Sequence, residues 1–143
     1  GMNNTLLEVD PSGTFVGSSY CYATARDWAR FGLLYANDGV WNGERILPEG
    51  WVKFSATASN AKNSSKAGKY GALWWTNEAD KNNPANKKYP NVPSDCISCQ
   101  GYDGQYVWVI PSQKLVVVRF AFEQGNNLDP DFFLSEIIKA LPK

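Results

Sequence analysis

At 143 residues, with 43% hydrophobic residues and six tryptophans, the chain has the material for one buried core and lacks the composition of a disordered segment. Fourteen basic residues offset fourteen acidic ones with no basic stripe, which argues against a nucleic-acid partner, and no apolar run approaches the length that crosses a bilayer. Histidine is absent, which removes Ser-His-Asp and Cys-His catalysis together with the commonest zinc ligand.

Residues 3–22 are rich in turn formers, and Asp10, Pro11, Ser12 and Gly13 predict a β-turn. The first clear helix begins at Thr24, whose hydroxyl caps it with Asp27 three residues on, and it ends near Asn37, Asp38 and Gly39. Trp28, Phe31, Leu34 and Tyr35 form its apolar stripe, with Arg26, Asp27 and Arg30 expected on the solvated side. Asn42-Gly43 reads as a tight turn between two short extended pieces, and Pro48 opens a short helix carrying Trp51, Val52 and Phe54. Residues 56–69 and 77–91, rich in Ser, Asn, Lys and Pro, read as surface loops. Between them residues 70–75, YGALWW, predict a compact apolar strand whose tryptophans belong to the core. At the C-terminus Asp129 caps a helix that Pro130 opens and Pro142 ends, with Phe133, Ile137, Ala140 and Leu141 facing inward.

Residues 96–122, CISCQGYDGQYVWVIPSQKLVVVRFAF, carry the strongest signal in the chain. Runs 106–110 and 115–122 are aromatic and β-branched and are separated by four residues, the pattern of a β-hairpin. The second run does not alternate, which predicts a sheet covered on both faces, with Arg119 needing a partner or an exit to water. Gly101 and Gly104 allow a bend or a close approach to the backbone upstream of the hairpin. The helix is expected to pack on one face from about residue 130 to 141, and the Thr24 helix in a separate, mostly helical region. Cys96 and Cys99 have the spacing of a metal or redox pair, but zinc needs four ligands and a redox pair should open a helix, so both read as ordinary small residues. No metal or cofactor is expected.

Three ordered blocks, SSYCYATARDWARFGLLYANDGVWNGERILPEGWV, YGALWW and GYDGQYVWVIPSQKLVVVRF, resemble the C-terminal part of the serine β-lactamase and penicillin-binding-protein superfamily. Within it the likeness is to the class C-like esterases and 6-aminohexanoate-dimer hydrolases. The resemblance implies an α+β fold, a partial β-lactamase-like antiparallel sheet with a C-terminal helix plus a mostly helical region. It implies one unit over residues 1–143, mostly helical over 1–69, with the sheet and C-terminal helix over 70–143. The chemistry it implies is acyl transfer to the Ser of an SxxK motif, activated by that Lys and by the Tyr of a YxN motif. Ser18, Ser19, Ser55 and Ser94 have no Lys three residues on, and residues 63–66 hold Ser and Lys at the wrong spacing. Tyr89-Pro90-Asn91 spells YxN, but in an Asn- and Lys-rich loop. The family's Lys-Thr-Gly or His-x-Gly strand motif aligns within residues 96–101 and is not kept.

What the resemblance does carry over is a backbone N–H on that strand, from Cys99 or Gln100, as one donor to the oxyanion of a tetrahedral intermediate. Gly101 and Tyr102 border it, and Ser18, Ser19 and Tyr20 resemble a segment lining the substrate pocket. Two functions follow. In one, the chain is the C-terminal part of a serine hydrolase of amides or esters whose nucleophile lies in an N-terminal half, and the chain alone is inactive. In the other, it is a non-catalytic binding or structural module, or a truncated remnant. In either, the apolar strand 115–122 is expected to leave an open sheet edge, which predicts a homo-oligomer or pairing with an N-terminal half.

Overall fold

A computed structural model describes residues 1–17, 19–59, 69–79, 86–122 and 127–142. Strands β1 (Thr5–Leu7) and β2 (Cys21–Ala23) precede helix α1 (Ala25–Ala36). Strands β3 (Val40–Trp41) and β4 (Glu44–Arg45) and helix α2 (Trp51–Ala56) follow it. The main sheet consists of β5 (Trp75–Thr76), β6 (Ile97–Gly101), β7 (Gln105–Ile110) and β8 (Leu115–Arg119), and helix α3 (Pro130–Lys139) comes last. The four strands lie in the order β5-β6-β7-β8, every neighbour antiparallel.

The valine-rich hairpin forms where its sequence places it. Trp108 stands opposite Val117 and Val109 opposite Val116, and Pro111, Ser112 and Gln113 turn the chain in one 3₁₀ turn that Lys114 closes at φ 47°. β8 ends at Arg119, three residues short of the apolar run, and Phe120 and Phe122 are exposed. Arg119 Nη1 donates to the carbonyl of Gly104, which meets its need for a partner.

Both faces of the sheet are covered, as its unalternating composition requires. Ile97, Val107, Val109, Cys99, Val116 and Val118 pack with Tyr35, Trp28 and Phe31 of α1 and with Val52 and Trp74. Cys96, Trp108, Ile110, Tyr106, Leu115 and Val117 pack with Leu134, Phe133 and Ile138 of α3 and with Tyr89 and Val92. The expectation that α1 packs in a separate helical region is therefore corrected: α1 lies on β7 and β8. Gly32 makes this possible, since a Cβ built there would meet Val116 Cγ1 at 2.5 Å, so a larger residue would hold the helix off the strand.

Four local readings also change. Asp27 is fully buried rather than solvated: its carboxylate accepts from the Asn4 N–H (3.0 Å) and from Arg30 Nη1 (2.6 Å), tying the β1–β2 ribbon to α1. The inward residues of α3 are Phe133, Leu134 and Ile138, while Ala140 is exposed. Of the α2 residues, Val52 is buried but Trp51 and Phe54 face solvent, and the helix starts after Gly50 rather than at Pro48. Residues 70–75 form a tight hairpin instead of one strand: Tyr70 bridges to Trp75, the Gly71 N–H donates to the Trp74 carbonyl (2.7 Å), and Ala72 and Leu73 make the turn. The other turns follow their residues, with Asp10 Oδ1 accepting from the N–H groups of Ser12 and Thr14 and with Asn42 and Gly43 at φ 49° and 83°.

Asn77 organises the loop after β5. Fully buried, it places Nδ2 3.0, 3.1 and 3.0 Å from the carbonyl oxygens of Tyr89, Val92 and Pro93, and its Oδ1 accepts from the Tyr89 N–H (2.7 Å). One amide side chain thus stands in for the strand pairing this segment lacks.

Candidate functional site

The site builds from the way β6 meets its neighbours. In an antiparallel sheet the N–H and C=O of one residue point to the same side and successive residues alternate. The Asn77 N–H donates to the Cys96 carbonyl (3.0 Å), which fixes the phase. Cys96 and Ser98 turn their backbone groups toward β5, while Ile97, Cys99 and Gly101 turn theirs toward β7. Gln100 points to the β5 side, and β5 does not reach it, because pairing stops at Trp75 opposite Ser98. The strand before Trp75 bends away instead, with Trp74 buried against Phe31 and Tyr35 at ring-centroid distances of 5.8 and 4.5 Å. Among the described residues no strand therefore pairs with the outer edge of residues 99–101 of β6, and the backbone of Gln100 faces that edge.

Exposed apolar groups stand at this end of the sheet. Leu73, at the tip of the 70–75 hairpin, is 81% exposed and sits at φ 67°, a conformation disfavoured for a residue with a bulky side chain. Tyr102, also 81% exposed, follows Gly101 in a 3₁₀ turn in which Asp103 (φ 56°) and Gly104 (φ 75°) reverse the chain into β7. Gly101 itself has an ordinary extended φ of −105°. On the face toward α3, Trp75, Ser98 and Gln100 line up, and Gln100 Nε2 donates to Ser98 Oγ (3.2 Å). Lys88 Nζ stands 4.7 Å from the ring centroid of Trp75 and 5.4 Å from that of Tyr89, and burial of its ammonium pulls its pKa below the ordinary lysine value.

Alternation also decides the cysteines. Cys96 and Cys99 lie on opposite faces of the sheet and are free thiols, so the spacing forms no redox pair. Burial pushes both up to about 12, with Asp95 adding to the effect at Cys96.

Of the pocket residues named from the sequence, Ser18 lies outside the described residues. Ser19 and Tyr20 are exposed on the β1–β2 ribbon, where the Tyr20 carbonyl accepts from the Glu8 N–H. Among the described residues no hydrogen bond or ring contact joins them to β6. Tyr89 is a core residue whose hydroxyl faces Trp108 Nε1 and Ser98 Oγ without a well-formed hydrogen bond to either. Burial pushes it up to about 12, far from the pKa of a useful base near neutrality. Asn91 is engaged by Asp131 (2.8 and 2.6 Å), so the YxN match at Tyr89 joins no site. A second YxN spelling, Tyr35 to Asn37, falls at the end of α1 with Tyr35 in the core. One literal SxxK, Ser59 to Lys62, escapes the motif reading above. Ser59 is exposed after α2, its N–H donates to the Tyr70 carbonyl (2.8 Å), and Lys62 lies outside the described residues.

No protein-family model matches the chain. It is 25% identical over 123 residues to the 6-aminohexanoate-dimer hydrolase of Paenarthrobacter ureafaciens, a match covering 80% of this chain and 28% of that protein, in its C-terminal portion. It is also 25% identical over 120 residues to an uncharacterized protein of Alkalihalophilus pseudofirmus, covering 82% of this chain and 34% of that protein. The chain thus spans about a third or less of the curated relatives it matches. A crystal structure of a Bacteroides dorei protein assigned to the β-lactamases superposes with a TM-score of 0.56 at 16% identity, over 96% of this chain and 45% of that one. Sequence match and fold agree, and the chain has a β-lactamase-like fold of α+β architecture.

Proposed function

We propose that this chain supplies the oxyanion-binding strand and one pocket wall of a serine hydrolase that cleaves small amides or esters through an acyl-enzyme, the nucleophile coming from polypeptide outside the chain. The observation that carries the reading is the open edge of β6, which leaves the Gln100 N–H facing outward within a β-lactamase-like fold. Of the two donors open from the sequence, the alternation along β6 favours Gln100, because the Cys99 N–H faces β7. A backbone donor held by a sheet undergoes no reorganisation as charge develops on a carbonyl oxygen, which is the property an oxyanion site needs. Gly101 leaves the approach unobstructed, and Tyr102 and Leu73 would border the bound acyl group.

The test uses a longer polypeptide that carries this chain together with an upstream segment containing SxxK and YxN. Gln100→Pro removes the outward N–H together with the side-chain hydrogen bond to Ser98 Oγ and leaves both β7 pairings of its neighbours, and Gln100→Ala, which loses the side chain but keeps the N–H, is the control. Acylation by a p-nitrophenyl ester should fall by roughly 10²–10³-fold, the usual effect of losing one oxyanion donor. Acylation at the parental rate would refute the assignment. The second reading, a non-catalytic module, draws on the absence of a nucleophile–base pair among the described residues. It would stand if no upstream extension yields a protein that a fluorophosphonate labels.

A further inference from the structure

We propose that Ser98 is a positioning residue for the Gln100 donor: its hydrogen bond with the Gln100 side chain holds Cys99 extended and so keeps the Gln100 N–H turned outward. The proposal rests on the hydrolase reading for what that N–H does, while the bond itself lies wholly within β6. Ser98 stands in a row with Trp75 of β5 and Trp108 of β7, on the face toward α3. A small side chain is needed between two indoles, but alanine or glycine would meet that need. A hydroxyl in this place is withdrawn from water, with Ser98 only 1% exposed, and that costs free energy unless a partner compensates. Trp108 Nε1 and the Tyr89 hydroxyl, on the same face, are themselves without a partner, so neither compensates it. The side-chain bond that Ser98 does make among the described residues is with Gln100 Nε2, 3.2 Å away, toward the end of β6 that β5 does not reach.

The span of this bond gives it its effect. Residues two apart along a strand share a face, with Cα atoms roughly 7 Å apart, only while the residue between them is extended. A bond from Ser98 Oγ to Gln100 Nε2 therefore breaks when Cys99 leaves the β region. Cys99 packs into the layer under α1 on the opposite face, so the packing of its own side chain and the bond across it restrain one residue from both sides of the sheet. In the sheet plane residues 99–101 are paired toward β7, with Val107, Tyr106 and Gln105 opposite them. Rotation of the peptide between Cys99 and Gln100 would swing the Gln100 N–H out of that plane, and a donor free to swing loses the preorganisation that an oxyanion site requires.

The test is a double-mutant cycle of Ser98→Ala and Gln100→Ala, each of which removes the bond and keeps every backbone N–H. In the longer polypeptide each change should lower the acylation rate at saturating p-nitrophenyl ester roughly 2- to 10-fold, the effect of one hydrogen bond, and leave the half-saturating ester concentration unchanged. The double variant should be no slower than the slower single one. In the purified chain, amide exchange at Cys99 and Gly101 should quicken by a similar factor in all three variants, while Val109, opposite Ile97 at the other end of β6, keeps its protection. Additive losses overturn the proposal, because Ser98 would then act as a core filler apart from Gln100. A change confined to the half-saturating concentration also overturns it, because the Gln100 side chain would then touch the substrate directly. Acylation of Gln100→Pro at the parental rate removes the hydrolase reading instead, and the exchange cycle in the purified chain then decides alone whether Ser98 holds the strand.

Discussion

Strands β7 and β8 are made of nearly the same residues and occupy different surroundings. Val107, Trp108, Val109 and Ile110 of β7 are buried, whereas Leu115, Val116, Val117 and Val118 of β8 are only partly so, although α1 and α3 cover both strands. The difference lies in the sheet plane: among the described residues β7 has a neighbour on each side and β8 has one. The last three residues of β6 share the situation of β8, since β5 stops short of them. Covering both faces of a sheet therefore does not finish it. Apolar composition reports how much burial a strand is built for, and the two open edges are where this chain holds less than its composition provides for.

The comparison can be broken most forcefully at Trp108. Trp108→Ala removes a fully buried side chain stacked on Tyr106 and packed on Phe133, and should lower the unfolding free energy by roughly 3–5 kcal/mol. Val117→Ala, directly opposite on β8, should cost only about 1 kcal/mol in a dilute sample, because the side chain is already partly hydrated. Equal losses in urea denaturation would mean that β8 is as enclosed as β7.

The thiols sharpen the same contrast between inside and outside. Cys96 and Cys99 have folded pKa values of about 12 against 9.0 for a free thiol, so each favours the protonated folded chain. Their stabilisation is complete below pH 9 and is lost as pH rises toward 12, on the order of several kcal/mol in all. Alkaline unfolding should fall in that window, and at pH 8 a disulfide reagent should modify Cys21 faster than the half-buried Cys99 and leave the buried Cys96 untouched in the native chain. Reaction of all three at one rate would contradict their burial.

A smaller effect is expected where α1 meets the edge strand. Gly32→Ala forces a methyl group against Val116 and should destabilise the chain by roughly 1–3 kcal/mol. If thermal unfolding is unchanged, β8 gives way easily, as an edge free to shift would. The mildest perturbation concerns the β1–β2 ribbon. Burial raises the Asp27 carboxyl, but hydrogen bonds from Asn4, Thr24 and Arg30 outweigh it and hold the group below 3.8. The tie is therefore intact above that value and lost as pH falls below it. Amides of β1 and β2 should lose protection on acidification while those of β7 keep theirs; simultaneous loss would show that the ribbon is not a separate unit.

Much of the frame is legible in the residues. The Val-rich hairpin, the Thr24 and Asp129 caps and the Asn42-Gly43 turn each rest on a local rule that tertiary structure leaves in force. The misplaced features depend on distant chain. Asp27 reads as a surface charge until the Asn4 N–H is brought to it, and Asn77 reads as a loop residue until three carbonyls converge on its amide. Gly32 in the apolar stripe of α1 was the available sign that the helix meets a sheet. The candidate site shows the limit most clearly. Sequence leaves Cys99 and Gln100 equivalent as donors, and only the phase set by Asn77 and the early end of β5 separates them.

Amide hydrogen exchange along β6 is therefore the most direct test. In a dilute sample Cys99 and Gly101, bonded toward β7, should be protected, and Gln100 between them should exchange at least an order of magnitude faster, as an outward amide on an open edge does. Protection of Gln100 equal to that of its two neighbours would mean that the edge is closed, and the proposed oxyanion strand would have no donor to offer.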